Sequence, residues 1–298
     1  NNNDLGSVAL NLNINGRKMN QTYPEINIQG NIPYFEYKKY YYNRIDINAT
    51  SRNGGYKGQL AINDPNVNIQ IEGDINTNRP NATCNIQAII DHLKPNALNL
   101  TKQYDDTDFS GKIHANLNGK NPDNITGTVQ IDSMIMISPE KYYYLNRFNL
   151  TSQLKEEGER EISISSDFLN GKATGRFQFS TLVNGFKNLL NNYLPSFVET
   201  GRQTNKNNKR KNSNQLEFDF YVKNTAILSK VFQIPLTIHS PGTLKGYFNE
   251  RNNRIKLEGY FPSFTYDNTL YESSMILLDN PQDELQAFAR ITKQMEDE

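Results

Sequence analysis

The sequence predicts a mainly β protein, built on an elongated and strongly curved β-sheet that forms a groove, with one amphipathic helix and one short helical turn. Three observations predict this fold class. Apolar and polar residues alternate in many separate stretches, as in strands that have one apolar face. The chain contains 17 tyrosines and 15 phenylalanines together with many isoleucines, and these residue types favour strands. Glycine repeatedly shares the apolar face, where it marks bends, bulges or the close approach of another group.

The strand pattern begins near the start of the chain and returns at irregular intervals. Its first copy places Gly6, Val8, Leu10, Leu12, Ile14 and Gly16 on one face, and further copies cover residues 26–30, 58–62, 67–73, 111–119, 127–131 and 255–259. Turn residues separate the copies, as in Asn53-Gly54-Gly55 and Asn63-Asp64-Pro65-Asn66. Because the spacing is irregular, we expect a meandering sheet and not a solenoid of identical coils.

Residues 163–195 join a strand to a helix. The alternation from Gly175 to Ser180 places Phe177 and Phe179 on the apolar face of a predicted strand. From residue 181 to 195 the apolar spacing changes to three and four, which predicts an amphipathic helix that starts after Ser180 or Thr181 and ends at Pro195. Its apolar stripe consists of Leu182, Val183, Phe186, Leu189, Leu190, Tyr193 and Leu194.

The remaining chain returns to strands after a polar interval. Residues 199–214 lack apolar periodicity and predict a mobile polar loop. Strands resume at residue 215, a short helical turn is expected near residues 226–232, and residues 283–296 fit either a strand or a helix, with a strand favoured. The predicted organisation is therefore a curved sheet over 1–180, a helix over 181–195, a loop over 199–214 and a continuation of the sheet over 215–298.

Composition and spacing argue against several classes of function. The chain has 32 basic and 32 acidic residues, and this balance, without a basic stripe, argues against nucleic acid as the main partner. The three histidines and Cys84 do not have metal-ligand spacing, and no nucleophile, phosphate-loop or zinc-helix motif is present. We therefore expect no enzymatic activity, no metal and no cofactor.

The apolar faces outnumber the elements that are available to cover them. Only the predicted helix and the short helical turn could cover them. Either the curved sheet therefore closes on itself, or an apolar ligand fills the groove. Each methylene group that leaves water contributes about 0.8 kcal/mol.

Three segments carry a resemblance to a known family: GQLAINDPNVNIQIEGDI from Gly58, FSGKIHANLNGKNPDNITGTVQIDSM from Phe109 and ISISSDFLNGKATGRFQFSTLVNGFKNLLNNYLPSF from Ile162. Over nearly its whole length the chain resembles the long TamB proteins of the AsmA-like superfamily in Bacteroidota. The resemblance implies a β-taco, an elongated curled sheet with an apolar inner groove, in a periplasmic protein anchored in the inner membrane. It implies passage of phospholipid between the inner and outer membranes. The alternative that it implies is a scaffold for outer-membrane protein assembly with a TamA-like barrel.

The resemblance also assigns residues. It implies a lipid groove lined by Ile69, Ile71, Ile113, Leu117, Val129, Ile131, Phe177, Phe179, Phe218 and Phe220, and a helical lid or cap formed by Leu182, Phe186, Leu189, Leu190 and Tyr193. Asp132-Ser133-Met134 resembles an O-glycosylation site of exported Bacteroidota proteins. The chain lacks the family's membrane anchor and its C-terminal partner-binding region, so we expect a soluble internal segment of a longer protein. A third interpretation, a β-helical polysaccharide-processing enzyme, is disfavoured because the polar faces carry mainly asparagine, glutamine and threonine and not clustered acids.

Overall fold

The structure is a computed structural model that describes residues 4–77, 82–193, 213–282 and 284–293. Within these ranges the chain forms 17 β-strands, two α-helices and two short 3-10 helices. The strands belong to one antiparallel sheet. The mainly β architecture and the single large sheet predicted from the sequence are therefore confirmed.

The first nine strands have 10 to 13 residues each, and six of the other eight have eight residues or fewer. The first nine are β1 Leu5–Arg17, β2 Glu25–Tyr37, β3 Tyr40–Arg52, β4 Gly55–Asp64, β5 Val67–Asn76, β6 Thr83–Leu93, β7 Asp108–Asn118, β8 Thr126–Ile137 and β9 Tyr142–Leu154. The others are β10 Arg160–Ser166, β11 Leu169–Arg176, β12 Gln215–Val222, β13 Leu236–Ile238, β14 Gly242–Asn249, β15 Arg254–Tyr266, β16 Thr269–Asp279 and β17 Gln286–Lys293. The helices are α1 Phe179–Asn191 and α2 Ala226–Phe232, and the 3-10 helices are Pro122–Asn124 and Glu156–Gly158.

The chain divides into two compact units. The first unit contains Asn1–Lys120 and Gly127–Asn149, and the second contains Asn121–Thr126 and Leu150–Glu298. In the first unit each strand from β1 to β6 pairs antiparallel with the next strand in sequence. In the second unit the ladder runs from β10 through β11, β12, β14, β15 and β16 to β17, while β13 adds to β15.

The junction between β11 and α1 differs from the sequence prediction. The predicted strand through Ser180 is wrong, because β11 ends at Arg176 and α1 already begins at Phe179. The N-cap is Gln178 and not Ser180 or Thr181, and the C-cap is Asn192. The proposed terminator Pro195 lies outside the described residues, as does Leu194. Phe179 is therefore a helix residue and not a strand residue of a groove wall.

The elements after α1 largely follow the prediction. Most of the predicted polar loop, residues 199–212, lies outside the described residues, but Asn214 at its end is buried and hydrogen-bonded. The short helical turn is confirmed as α2, at Ala226–Phe232. The favoured strand near the C-terminus is confirmed as β17, while positions 283 and 294–296 lie outside the described residues.

Both units contain buried apolar side chains. In the first unit Ile45, Val67 and Leu98 are buried. In the second, Leu189 of α1 packs with Phe248 of β14 and Ile255 of β15, flanked by Leu182, Leu190, Tyr193, Leu278 and Leu285. In the part of the chain that the structure describes, neither helix has the length and apolar character required to cross a bilayer.

Candidate functional site

The antiparallel register of the first unit aligns apolar residues in rows that run across the strands. Three consecutive rows extend from β1 to β7, a distance of about 29 Å at about 4.8 Å for each strand. The central row is Ile14, Ile28, Ala49, Gly58, Gly73, Ile86 and Ala115. One flanking row is Leu12, Gly30, Ile47, Leu60, Ile71, Ala88 and Ile113. The other flanking row is Gly16, Ile26, Ser51, Tyr56, Ile75, Cys84 and Leu117. None of the residues in these three rows is fully buried. The first unit thus presents a broad apolar face that its own side chains leave partly open.

A furrow of about 510 Å³ lies on this face. Its floor is formed where Ala49, Gly58 and Gly73 follow one another across β3, β4 and β5. Larger apolar side chains form its walls: Ile26, Ile28, Ile47, Leu60, Ile71, Ile75 and Ile86. The volume falls within the range of about 300–1,000 Å³ that is typical of small-molecule sites. The furrow therefore arises because Gly58 and Gly73, on adjacent strands, have no side chains to fill it.

The opposite face of the same strands is polar. One of its rows consists of Asn13, Gln29, Asn48, Gln59, Glu72, Gln87 and His114. This separation of apolar and polar residues onto two faces follows directly from the period of two in the sequence.

The end of the strands where β4 turns into β5 is closed by a polar network and a loop. Asp64 is only 2% exposed and accepts hydrogen bonds from the Tyr40 hydroxyl, from the backbone and side-chain nitrogens of Asn43 at 3.1 and 3.0 Å, and from Asn66 N at 2.9 Å. The loop 94–107 is tied to this end, because Lys94 N donates to Asn66 O and Asn99 Nδ2 donates to Lys38 O, both at 3.0 Å. Leu98 of this loop is completely buried.

Electrostatics reinforce this closed end. Burial of Tyr40, followed by its hydrogen bond to Asp64, raises the pKa of the tyrosine to about 12. Burial acts to raise the pKa of Asp64, but the hydrogen bonds from Tyr40, Asn66 and Asn43 outweigh it and lower the pKa below its ordinary value. Asp64 is therefore a satisfied carboxylate with a structural role, although the sequence indicated only a turn residue.

Most of the groove residues assigned by the resemblance lie on the apolar faces of strands. Ile69, Ile71, Ile113 and Leu117 are half-buried in the first unit, and Ile71 lines the furrow. Val129 and Ile131 are half-buried in β8. Phe218 and Phe220 lie in β12 of the second unit, with stacked rings 5.8 Å apart.

Two of the assigned groove residues have different surroundings. Phe177 follows the end of β11 and is buried, and its ring meets that of Phe179 edge-on at 5.6 Å. Phe179 is the first residue of α1 and is 41% exposed. Neither residue belongs to a strand, so the assignment of this pair to a strand wall of the groove is corrected.

Helix α1 covers part of the apolar face of the second unit and is fastened at both ends. At its N-terminus the Asp123 carboxylate accepts hydrogen bonds from Ser180 N at 3.0 Å and Ser180 Oγ at 2.6 Å. After its C-terminus, the Tyr193 hydroxyl accepts from the side-chain amides of Asn253 and Asn280, both at 2.8 Å. These contacts suit a fixed cap better than a moving lid.

The predicted lid residues lie along one side of α1 and just after its end, and they differ in burial. Leu189 belongs to the buried cluster of the second unit, and Leu182, Leu190 and Tyr193 pack against it. Phe186 contacts the Phe248 ring at 6.0 Å but remains 38% exposed.

Arg160 supports the start of α1 and was missed by the sequence analysis. It is 1% exposed, and its guanidinium donates to Ile125 O at 2.5 Å, Asp123 O at 2.5 Å and Ser152 Oγ at 2.7 Å. Its Cζ lies 5.3 Å from the centre of the Phe179 ring. Burial lowers the pKa of Arg160, and the charge of Asp123 opposes this, while an arginine remains protonated in either case. The buried cation thereby holds the segment that presents Asp123 to α1.

The residue assigned to modification is accessible. Ser133 is exposed and interrupts β8 with a φ of 53°, so its hydroxyl lies at an irregularity on the sheet surface. Within the described ranges, no group of three or more histidine, cysteine, aspartate or glutamate side chains is arranged to hold a metal ion.

Comparisons with known proteins do not assign a family. No protein-family model matches the chain, and neither the curated proteins nor the solved structures contain a significant match.

Proposed function

We propose that this chain is a non-enzymatic lipid-transfer segment whose apolar sheet face holds phospholipid acyl chains between the inner and outer membranes. In this proposal it works in the periplasm, as part of a full-length protein anchored in the inner membrane. The observation that carries the proposal is the furrow over Ala49, Gly58 and Gly73, which is walled by isoleucine and leucine side chains.

The apolar face of the first unit remains partly in contact with water. The three aligned rows stay partly exposed across seven strands, and exposed contiguous apolar surface on this scale indicates a ligand or partner. A single acyl chain laid along the rows removes both its own methylenes and the sheet face from water, at about 0.8 kcal/mol for each methylene. Because the rows continue from strand to strand, they offer an acyl chain successive equivalent binding positions, as lipid transfer along the sheet requires.

The experiment measures phospholipid that remains bound after purification from bacteria, by extraction and mass spectrometry. Two variants form a matched pair on adjacent residues: Ile71→Asp charges the furrow wall, while Gln70→Asp places the same charge on the opposite, exposed face. We expect bound phospholipid in the unaltered chain and in Gln70→Asp, and its loss in Ile71→Asp. Absence of phospholipid from the unaltered chain, or equal retention by both variants, would contradict the proposal.

A second candidate is a scaffold for outer-membrane protein assembly with a TamA-like barrel. It is favoured by one observation on α1, where Phe179, Val183 and Phe186 are 41%, 63% and 38% exposed. Their spacing of four and three places them on one stripe, which suits contact with a protein client.

Charging this stripe separates the two candidates. If Val183→Asp abolishes assembly of outer-membrane proteins while the matched change Asn184→Asp does not, and phospholipid retention is unchanged in both variants, the scaffold is supported. If Val183→Asp leaves assembly intact, the scaffold is refuted.

A further inference from the structure

The furrow reaches one end of the strands, the end where β1 turns into β2 and β3 turns into β4. Pro24, Ser51 and Tyr56 line it there, and the Ser51 hydroxyl donates to Pro24 O at 3.2 Å. Tyr56 is 49% exposed. The opposite end of these strands carries the closed network around Asp64 and the loop 94–107. A molecule in the furrow therefore projects at the rim near Pro24 and Ser51.

Basic residues gather around a single carboxylate at this rim. Lys18 Nζ lies 2.6 Å from Glu25 Oε1, and Arg52 Nε lies 3.7 Å from the same oxygen. Arg17 is the register partner of Glu25. Three cations and one anion leave an excess of two positive charges.

The carboxylate does not hold these cations tightly. The side chains of Lys18 and Arg52 are 48% and 78% exposed, and exposed ion pairs contribute little. The hydrogen bond from Lys18 lowers the pKa of Glu25 most, burial opposes it, and the charges of Lys18, Arg52 and Arg17 lower it further. Glu25 is thus ionised at neutral pH and compensates only one of the three cations.

The positions of these residues in their strands define where a headgroup meets them. Arg17 and Arg52 are the last residues of β1 and β3, and Glu25 is the first residue of β2. Because neighbouring residues of a strand point to opposite faces, Glu25 lies across the sheet from Ile26. Arg17 pairs with Glu25 and shares its face, and Arg52 follows Ser51 of the furrow-facing row and lies on the same face as Glu25. The cations therefore meet a ligand from the furrow where the ligand passes over the rim of the sheet.

We propose that this rim selects phospholipids with a net negative headgroup, whose phosphate lies among Arg17, Lys18 and Arg52 while an acyl chain lies in the furrow. The inference rests on the proposed lipid-binding function and adds headgroup selectivity to it. Arginine suits this role because its planar guanidinium binds two phosphate oxygens at once. A zwitterionic headgroup brings its own ammonium group to the same cations and loses part of the attraction.

The test offers the purified chain vesicles that contain equal amounts of phosphatidylglycerol and phosphatidylethanolamine with identical acyl chains. The protein is separated from the vesicles, and the two retained lipids are quantified by mass spectrometry. We expect phosphatidylglycerol to be enriched about two- to fivefold, the range given by one or two exposed ion pairs. Raising the ionic strength from about 0.1 M to about 1 M shortens the screening length from about 10 Å to about 3 Å and should remove most of the enrichment.

Three variants locate the effect. The double change Lys18→Gln with Arg52→Gln should return the lipid ratio to that of the vesicles. Glu25→Gln should raise the enrichment, because it removes the internal competitor of the phosphate. The control Lys112→Gln with Arg147→Gln removes two positive charges elsewhere in the same unit and should keep the unaltered ratio.

The outcomes separate this inference from the function on which it rests. If the unaltered chain retains no lipid, the proposed function fails and this inference fails with it. If lipid is retained at the ratio of the vesicles, or if both double variants change the ratio equally, headgroup selection at this rim is refuted while lipid binding stands. If the lipid ratio equals that of the vesicles while inorganic phosphate binds to the unaltered chain and not to Lys18→Gln with Arg52→Gln, the cations bind free phosphate and the lipid headgroup is not their ligand.

Discussion

Gly58 of β4 and Gly73 of β5 lie directly opposite each other in the register of the sheet, and both are half-buried on the floor of the furrow. They differ in the space around them. A Cβ at Gly58 would lie 2.7 Å from Asn48 O and 2.9 Å from Ala49 Cβ, whereas at Gly73 the nearest atoms are 3.6 Å away. Gly58 therefore permits close packing of the strands, whereas Gly73 chiefly leaves the furrow open.

Gly73→Phe should fill the furrow without disturbing the sheet. A Cβ at position 73 would lie at ordinary van der Waals distance from its neighbours, Asn85 O and Ile86 Cγ1. Phenylalanine also favours strands more than glycine does. If the ring displaces two methylenes of a bound acyl chain, at about 0.8 kcal/mol each, lipid affinity should fall about 15-fold. The measurement is retained phospholipid together with the thermal unfolding curve. Gly73→Ala is the size control and should retain lipid, and equal retention by Gly73→Phe would show that lipid does not use this furrow.

Gly58→Ala should destabilise the first unit. The added methyl group overlaps with Asn48 O and Ala49 Cβ, and overpacking of this kind costs about 1–3 kcal/mol. Urea denaturation followed by circular dichroism would report the free energy of unfolding. Gly73→Ala provides the comparison on the opposite strand, and an unchanged midpoint for Gly58→Ala would mean that the strands are not this closely packed.

Asp123→Ala should weaken the attachment of α1. The carboxylate accepts two hydrogen bonds from Ser180 at the helix N-terminus, and loss of a capping group typically costs about 0.5–2 kcal/mol. Hydrogen exchange of the backbone amides of residues 179–182 measures the effect, because these amides should exchange faster in the variant. Unchanged exchange would show that Asp123 does not anchor the helix.

The contribution of Asp123 should depend on pH in one direction. Its hydrogen bonds from the Ser180 side chain and backbone lower its pKa, with a smaller effect from Arg160. A carboxyl group whose folded pKa is lowered stabilises the fold above its unfolded pKa of about 3.9 and loses this contribution as pH falls through the folded value. Asp123→Asn, which keeps an acceptor but does not titrate, should remove that acid-dependent loss. Identical acid unfolding curves for the two proteins would contradict this.

Tyr40→Phe should change stability at alkaline pH. The folded pKa of Tyr40 is about 12, above its unfolded value of about 10. A raised pKa contributes stability that is complete below pH 10 and is lost as pH rises from about 10 to 12. The variant should lose stability at neutral pH, because Asp64 loses one donor, but should show less further loss between pH 10 and 12. Parallel stability profiles over this interval would contradict the assignment.

The sequence predicted the furrow better than it predicted the helix boundary. Alternation places Gly58 and Gly73 on the apolar face, and a two-residue turn at Pro65-Asn66 pairs Asp64 with Val67 and, six residues further, Gly58 with Gly73. The turn residues and the period of two thus contain the register. In contrast, the alternation of Phe177, Gln178 and Phe179 continues the strand pattern and conceals the start of α1.

Long-range polar contacts explain what the local pattern missed. Asn214 Oδ1 accepts a hydrogen bond from Gln178 N at 2.9 Å, and Asp123 accepts one from Ser180 N. These partners lie 36 and 57 positions away along the chain, and they define where the strand ends and the helix begins. Arg160 is buried for a similar reason, since its acceptors on Asp123 and Ile125 lie 37 and 35 positions away. A pattern of apolar residues in a short stretch of sequence does not reveal such distant partners.

The most direct measurement of lipid binding is a photocrosslink from the furrow in living cells. A photoreactive phenylalanine analogue at Ile86, a wall residue of the furrow, is compared with the same analogue at Gln87, its exposed neighbour on the opposite face. We expect a phospholipid adduct by mass spectrometry from position 86 and none from position 87. No adduct from position 86, or equal adducts from both positions, would contradict the claim that this furrow holds phospholipid acyl chains.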